Sequence, residues 1–187
     1  MSTPELLEEH RRLLFVAIVE DNLPDVAAWI ASAQSSLSKN ERLDLNFIVG
    51  TEGMYKKFSK DKSLRDLIEE HCKDDDHVKY ADFSKSTPYL VAVECGREEI
   101  LNLLDTADNL IGVNLTPKVA LFLAVKACRY NLVEIFISRI DDFDVNQRNL
   151  KGEPLIIIAT ETGDLKMLHM ILAQKDLKIN QKDLTKD

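Results

Sequence analysis

The feature that most constrains this fold is an internal repeat of 32 to 35 residues. A short apolar helix, a turn and a second apolar helix recur, with the turn at residues 96, 128 and 163, separated by 32 and 35 residues (128 − 96 and 163 − 128). Each copy ends in an apolar residue followed by Asn114, Asn146 or Asn180, which are 32 and 34 residues apart (146 − 114 and 180 − 146). A fixed period of this length is typical of solenoids, whose units pack on their neighbours.

The last copy shows the helix signals most clearly. Pro154 suits the first turn of a helix, and Gly163 suits its end because glycine readily adopts positive φ. In the second helix, apolar residues at helical spacing predict one buried face. The residues of that face are Leu165, Leu168, Ile171 and Leu172.

These units resemble the ankyrin repeat, whose core reads T-P-L-H-x-A-A-x-x-G. The matching residues are Thr87-Pro88, Ala92, Ala124, Ala159, Gly96 and Gly163. The resemblance implies an all-α ankyrin-repeat solenoid of about five helix-turn-helix units with finger loops, which binds another protein. The family's histidine is replaced by Leu90, Phe122 and Ile157, so we expect the turns to be held by burial.

The chain is predicted to be a single ankyrin-repeat domain, 1–187, made of consecutive units. The clearer repeats are 84–115, 116–149 and 150–183. Residues 1–40 form an N-terminal cap unit, with two helices over Leu13–Ile30 and the outer face in water.

The stretch 41–83 is predicted to be a degenerate unit with an insertion. Its first helix falls on Thr51–Phe58 and its second on Ser63–His71, with Leu64, Leu67 and Ile68 on one apolar face. Before it, Ser32–Asn40 is expected to be an exposed loop.

Composition and charge exclude several functional classes. The formal net charge of −8 disfavours nucleic acid, because such binding draws its affinity largely from Lys and Arg. No uncharged apolar stretch approaches the length of a membrane span. Three cysteines without CxxC spacing favour a reducing compartment, which predicts a cytoplasmic protein.

No motif for catalysis or cofactor binding is found, which predicts no enzyme activity, no cofactor and no small-molecule substrate. A metal site over His71–His77 is the nearest alternative, but a solvated acidic finger explains that run better, so no metal is predicted. Cys95 and Cys128 are predicted to be packing residues rather than nucleophiles, and Trp29 a core residue. His169 is predicted to be exposed.

The resemblance places partner contacts on the first helices and finger tips. The predicted partner-binding residues are Ser86, Glu94, Lys118, Lys126, Phe143, Lys151, Glu153 and Glu161. Two central lysines flanked by acids suit a partner of mixed charge. Phe143 is equally consistent with an exposed anchor and with a packing residue of its finger.

Two alternatives to a free-standing binding module remain at this stage. One is a targeting or regulatory ankyrin domain of a longer enzyme, since residues 180–187 look like the opening of another finger and the final helix lacks a polar outer face. The other is a bacterial effector directed to the host cytosol. A small enzyme built on repeats requires an acid, base or nucleophile constellation that the sequence does not display.

Overall fold

The computed structural model describes residues 4–35, 43–48, 62–73, 75, 83–106, 110–111 and 117–179. The chain divides into two compact units, Met1–Asn114 and Leu115–Asp187. The predicted single domain, 1–187, therefore stays a prediction.

Helices make up nearly all regular structure in the described part of the chain. Unit 1 contains α1 (Pro4–Val19), α2 (Leu23–Ser35), β1 (Leu43–Asp44), α3 (Leu64–His71), a 3₁₀ turn (Phe83–Lys85), α4 (Pro88–Glu94), α5 (Glu98–Thr106) and β2 (Leu110–Ile111). Unit 2 contains α6 (Pro117–Lys126), α7 (Tyr130–Arg139), α8 (Leu155–Glu161) and α9 (Leu165–Leu172). The strands β1 and β2 are two residues long and pair in parallel.

Successive helices form hairpins, and the same turn conformation recurs in each of them. The turn residue has positive φ at Asp21 (57°), Gly96 (68°), Cys128 (53°) and Gly163 (69°). A Cβ added at Gly163 would meet no atom within 4 Å, so the backbone conformation alone favours glycine there. The predicted all-α class, built of helix-turn-helix units, is confirmed in the described residues.

In unit 1 the α1–α2 hairpin packs directly on the α4–α5 hairpin. Helix α1 contacts α4, α2 contacts α5, and β1 pairs with β2 so that Leu43 lies opposite Leu110. Helix α3, by contrast, packs on α1. Helix α3 is therefore an addition beside α1, whereas β1 belongs to the stack. The predicted degenerate unit with an insertion, 41–83, stays a prediction, since its first helix, Thr51–Phe58, lies outside the described residues.

Helix α1 is enclosed by protein over its C-terminal half. All six residues from Leu14 to Val19 are buried, because α2, α3 and α4 each pack against this helix. The prediction that the first unit exposes an outer face to water is therefore wrong for α1. The apolar face of α3, formed by Leu64, Leu67 and Ile68, is buried as predicted.

The end of α2 also differs from the sequence-based expectation. The helix runs to Ser35, so the loop predicted from Ser32 is wrong for its first four residues, and 36–40 lie outside the described part. Trp29 is only 7% exposed, its indole Nε1 donates to the His10 carbonyl oxygen at 2.5 Å, and the two rings stack. Its predicted core role is confirmed.

In unit 2 the first helices α6 and α8 pack side by side, and α9 packs on α8. The buried residues of α9 are Met167 and Ile171, whereas Leu165 is 71% exposed and Leu172 is also exposed. The predicted apolar face is therefore confirmed for Ile171, wrong for Leu165 and Leu172, and did not include Met167. The sequence Leu-Lys-Met-Leu-His-Met-Ile-Leu has apolar residues on two stripes, so its period did not select one. His169 is exposed, as predicted.

Candidate functional site

The hairpin turns of unit 1 are joined by the side chain of Arg97. Its Nη2 donates to the Val19 carbonyl oxygen at 2.5 Å and its Nε donates to that of Ile18 at 3.3 Å. Its Nη1 lies 3.6 Å from Asp21 Oδ2. A guanidinium here donates to carbonyls of the last turn of α1 and complements the helix dipole. The turns of unit 1 are therefore held by hydrogen bonds of Arg97 as well, which the prediction of burial did not include.

In unit 2 a different polar pair joins successive hairpins. The Tyr130 hydroxyl donates to Asp164 Oδ2 at 2.6 Å, and Lys166 Nζ lies 3.9 Å from the centre of the Tyr130 ring. The pKa of Tyr130 is raised from 10.0 to about 12, mainly by the hydrogen bond to Asp164 and to a lesser extent by burial. Asp164 Oδ1 also accepts from the Met167 backbone N–H at 2.7 Å, which caps α9.

The asparagine that recurs in the sequence connects neighbouring fingers. Asn146 Nδ2 donates to the Asp176 carbonyl oxygen at 2.9 Å, and Asn146 Oδ1 accepts from the Lys178 N–H at 2.7 Å. Within its own finger, the Asn146 N–H donates to Asp144 Oδ1 at 2.8 Å. The amide therefore fixes the distance between consecutive fingers of unit 2.

A further finger in unit 1 was missed at the sequence level. The Asn46 N–H donates to Asp44 Oδ1 at 2.8 Å, the same turn that Asp144 and Asn146 make. The signal was present as an Asp-apolar-Asn triplet at 44–46 and 144–146. Asn46 also precedes Asn114 by 68 residues (114 − 46), which is two repeat lengths.

The tip of the finger before α8 is a rigid turn. Asn149 Oδ1 accepts from the backbone N–H groups of Lys151 (2.9 Å) and Glu153 (3.0 Å), and Asn149 Nδ2 donates to Glu153 Oε2 at 2.5 Å. Glu153 is half-buried by these contacts, whereas the Lys151 side chain is exposed. Leu150, which is not among the predicted contact residues, is 96% exposed.

Helices α6 and α8 each keep one stripe of side chains out of the core. On α6 the stripe contains Lys118 and Lys126, both exposed, and half-buried Val119 and Leu123. On α8, Ile157 is half-buried and Glu161 is exposed, as is Thr160. Since α6 and α8 are in contact, unit 2 offers an apolar strip with charged groups near it.

The two predicted contact residues of unit 1 lie against each other. The Ser86 hydroxyl donates to Glu94 Oε2 at 3.5 Å, and Ser86 is only 7% exposed. Ser86 therefore offers a partner very little surface, while Glu94 is half-buried. Phe143, in unit 2, is also half-buried, which leaves both of its interpretations open.

A shallow cleft of about 530 Å³ lies between the α1–α2 turn and α3. Across it His71 Nε2 is 3.9 Å from Glu20 Oε1, and Lys62 forms an ion pair with Glu70. Its remaining lining residues are Asp21, Asn22, Pro24 and Leu67. The carboxylates here are solvated or already paired with a basic side chain, and neither a Ser nor a Cys nucleophile lines the cleft.

The described part of the chain contains neither a candidate metal site nor a helix that could span a membrane. It holds no group of three or more His, Cys, Asp or Glu side chains placed to bind a metal ion. The end of the predicted acidic run, including Asp74, Asp76 and His77, lies outside it. None of the helices in these residues is long and apolar enough to cross a bilayer. Cys95 and Cys128 are buried, which confirms their predicted packing role.

Comparison with known proteins identifies one remote structural likeness. No family model matches the chain, and no curated protein sequence matches it. A similar solved structure is the ankyrin repeat domain of Bcl-3, described as a unique member of the IkappaB protein family. The identity is 18%, the match covers 86% of this chain and 70% of that one, and the TM-score is 0.43. A likeness this remote says nothing about what the chain binds.

Proposed function

We propose that this protein is a non-catalytic, cytoplasmic interaction module that binds a segment of another protein. The site is the outward surface of α6 and α8 in unit 2, together with the finger tip at Lys151. One observation carries the proposal: two helices packed side by side leave Val119, Leu123 and Ile157 half-buried although neighbouring positions are fully buried.

The composition of this surface suits protein recognition. Protein interfaces commonly have an apolar centre and a charged, hydrated rim. Here the centre is Leu123 and Ile157, and the rim consists of Lys118, Lys126 and Glu161. Lys118, Lys126 and Glu161 are among the contact residues predicted from the sequence, whereas Leu123 and Ile157 are not.

The rigidity of the surface also supports binding. Tyr130 and Asp164 join the two hairpins, and Asn146 joins the two fingers, so the binding residues are held before a partner arrives. A preorganised surface loses little conformational entropy on association. Phe143 is proposed as a peripheral contact of this surface. In unit 1, Glu94 stays a separate predicted contact, and buried Ser86 is not included.

The test is capture of partners from a cell extract with quantitative comparison between variants. Leu123→Asp combined with Lys126→Ala replaces the apolar centre and one rim charge without touching the buried arc of α6. The matched control is Glu134→Ala, at an exposed position of α7. Far-ultraviolet circular dichroism and thermal unfolding establish that each variant is folded.

We expect wild type and Glu134→Ala to capture the same specific set of proteins. The amount that the double variant captures should be lower by a factor of at least about ten. A tenfold loss corresponds to about 1.4 kcal/mol, which one well-packed apolar contact supplies. Identical capture by all three proteins contradicts the proposed site.

A further inference from the structure

Equivalent positions of α6 and α8 carry opposite charges. Ala124 and Ala159, both fully buried, occupy the same place in consecutive hairpins and are 35 residues apart (159 − 124). The same offset relates Lys126 to Glu161 (161 − 126), and both of these side chains are exposed. The charge of the binding surface therefore reverses from one hairpin to the next.

The first position of the stripe shows the same reversal. Lys118 corresponds to Glu153 by the same offset of 35 residues (153 − 118). Lys118 is exposed, and Glu153 is half-buried beside Asn149. Two equivalent positions thus place positive charge on α6, and negative charge on α8 and on the finger residue before it.

A half-buried apolar residue lies about one turn before the last charged residue of each helix, three residues before Lys126 in α6 (126 − 123) and four before Glu161 in α8 (161 − 157). Leu123 of α6 and Ile157 of α8 are half-buried, so a partner's apolar side chains can cover them. Packed helices lie roughly 8–10 Å apart, which sets the approximate distance over which the charge reverses. Seven residues of an α-helix span about 10.5 Å and return to the same helix face.

We propose that the partner segment is an amphipathic helix that crosses α6 and α8 and has charges of opposite sign at its two ends. An acidic residue at position i faces Lys126, apolar residues at i+3 and i+4 cover Leu123 and Ile157, and a basic residue at i+7 faces Glu161. This inference rests on the proposed function and adds the chemistry and the direction of the partner. Like charges brought together across an interface are strongly disfavoured, so the direction is selected by repulsion as well as attraction.

The probe is a displayed library of helix-forming peptides with random side chains on one face, selected on the wild-type protein. Lys126→Glu combined with Glu161→Lys reverses both charges and leaves the formal net charge at −8. The matched control, Glu134→Lys with Lys175→Glu, also conserves net charge, at exposed positions outside α6 and α8. Circular dichroism and thermal unfolding verify that both double variants are folded.

Selected peptides should carry an acidic residue followed seven positions later by a basic one. We expect the reversed variant to bind them about tenfold more weakly, since rim charges mainly alter encounter and specificity. Peptides with the two charges exchanged should recover that loss on the reversed variant. The control variant should bind like wild type.

Two other results separate the inference from the proposed function. If selected peptides lose binding to Leu123→Asp but bind the charge-reversed variant as well as wild type, the charge direction is overturned and the binding surface stands. If Leu123→Asp binds the selected peptides as well as wild type does, the site is not this surface, and both proposals fail.

Discussion

At the scale of the residue, Tyr130 and Asp164 show how one polar contact joins two hairpins in unit 2. The Tyr130 hydroxyl needs its proton to donate to the Asp164 carboxylate, 2.6 Å away. Ionisation would place two negative charges at hydrogen-bond distance. The contact therefore stabilises the fold only while the phenol is protonated.

This contact predicts a specific pH dependence of stability. The pKa of Tyr130 is raised from 10.0 to about 12 by its hydrogen bond to Asp164 and by burial. Because the folded-state pKa lies above the unfolded value, the stabilisation is complete below pH 10.0 and is lost as pH rises towards about 12. Denaturation midpoints across this window measure the loss.

Tyr130→Phe provides the control because it keeps the ring beneath Lys166 and removes only the hydroxyl. The variant should be less stable by about 1 kcal/mol below pH 10.0, as expected for one hydrogen bond. The difference between the two proteins should shrink as pH rises. A constant difference through pH 12 contradicts this role for the hydroxyl.

Individual residues were predictable from the sequence when the repeat itself marked them. Asn146 was found by its spacing, and Gly163 by its place at the end of a helix. The contacts they make were not predictable, since Asn146 bonds to Asp176 and Lys178, 30 and 32 residues away in the next finger. Arg97 donates to the carbonyl oxygens of Ile18 and Val19, 79 and 78 residues away, and the sequence does not indicate this partner.

At the scale of the element, Arg97 fastens the α4–α5 turn to the end of α1. Its planar guanidinium bonds to two carbonyl oxygens and also approaches the Asp21 carboxylate and Cys72 Sγ. Lysine has the same charge but a single ammonium group, which does not reproduce this spread of donors.

Arg97→Lys should therefore destabilise the protein by roughly 1.5–3 kcal/mol, the range for hydrogen bonds to charged groups. Arg65→Lys is the matched control, because Arg65 pairs with exposed Glu69 on the surface of α3. That change should cost less than about 0.5 kcal/mol. Urea denaturation measures both, and equal effects would show that Arg97 is an ordinary surface arginine.

Elements were predictable in position but less so in the face they bury. The second helices and the hairpin turns of the three clear repeats lie where the period placed them. The lack of a Thr-Pro start before Leu13 favours a terminal cap, whereas the apolar run that follows is typical of a helix enclosed by protein, and Leu14–Val19 are buried. In α9 apolar residues lie on two sides of the helix, and packing against α8 buries Ile171, which the period predicted, together with Met167, which it did not.

At the scale of the whole molecule, the order of the stack was the hardest property to predict. The turns at residues 21 and 96 are 75 residues apart, which fits either an intervening unit or two neighbours with an insertion. Because α1 contacts α4 and β1 pairs with β2, the α1–α2 and α4–α5 hairpins are neighbours in unit 1. Sequence separation does not report such adjacency.

The prediction of a single domain, 1–187, can be tested through the chain's one tryptophan. Trp29 is buried in unit 1, so its fluorescence reports on that unit, whereas far-ultraviolet circular dichroism reports on the helices of both units. If repeats stabilise one another along the whole chain, the two signals should follow one urea transition.

Leu121→Ala makes that test decisive, because Leu121 is fully buried in unit 2 and its truncation costs roughly 2–5 kcal/mol. In a single cooperative domain the destabilisation is shared, so the Trp29 transition should move to lower urea together with the circular dichroism. Ile18→Ala, at a fully buried position of unit 1, gives the reciprocal shift. If the urea midpoint of Trp29 fluorescence is unchanged by Leu121→Ala but lowered by Ile18→Ala, the chain consists instead of two domains with a boundary between Asn114 and Leu115.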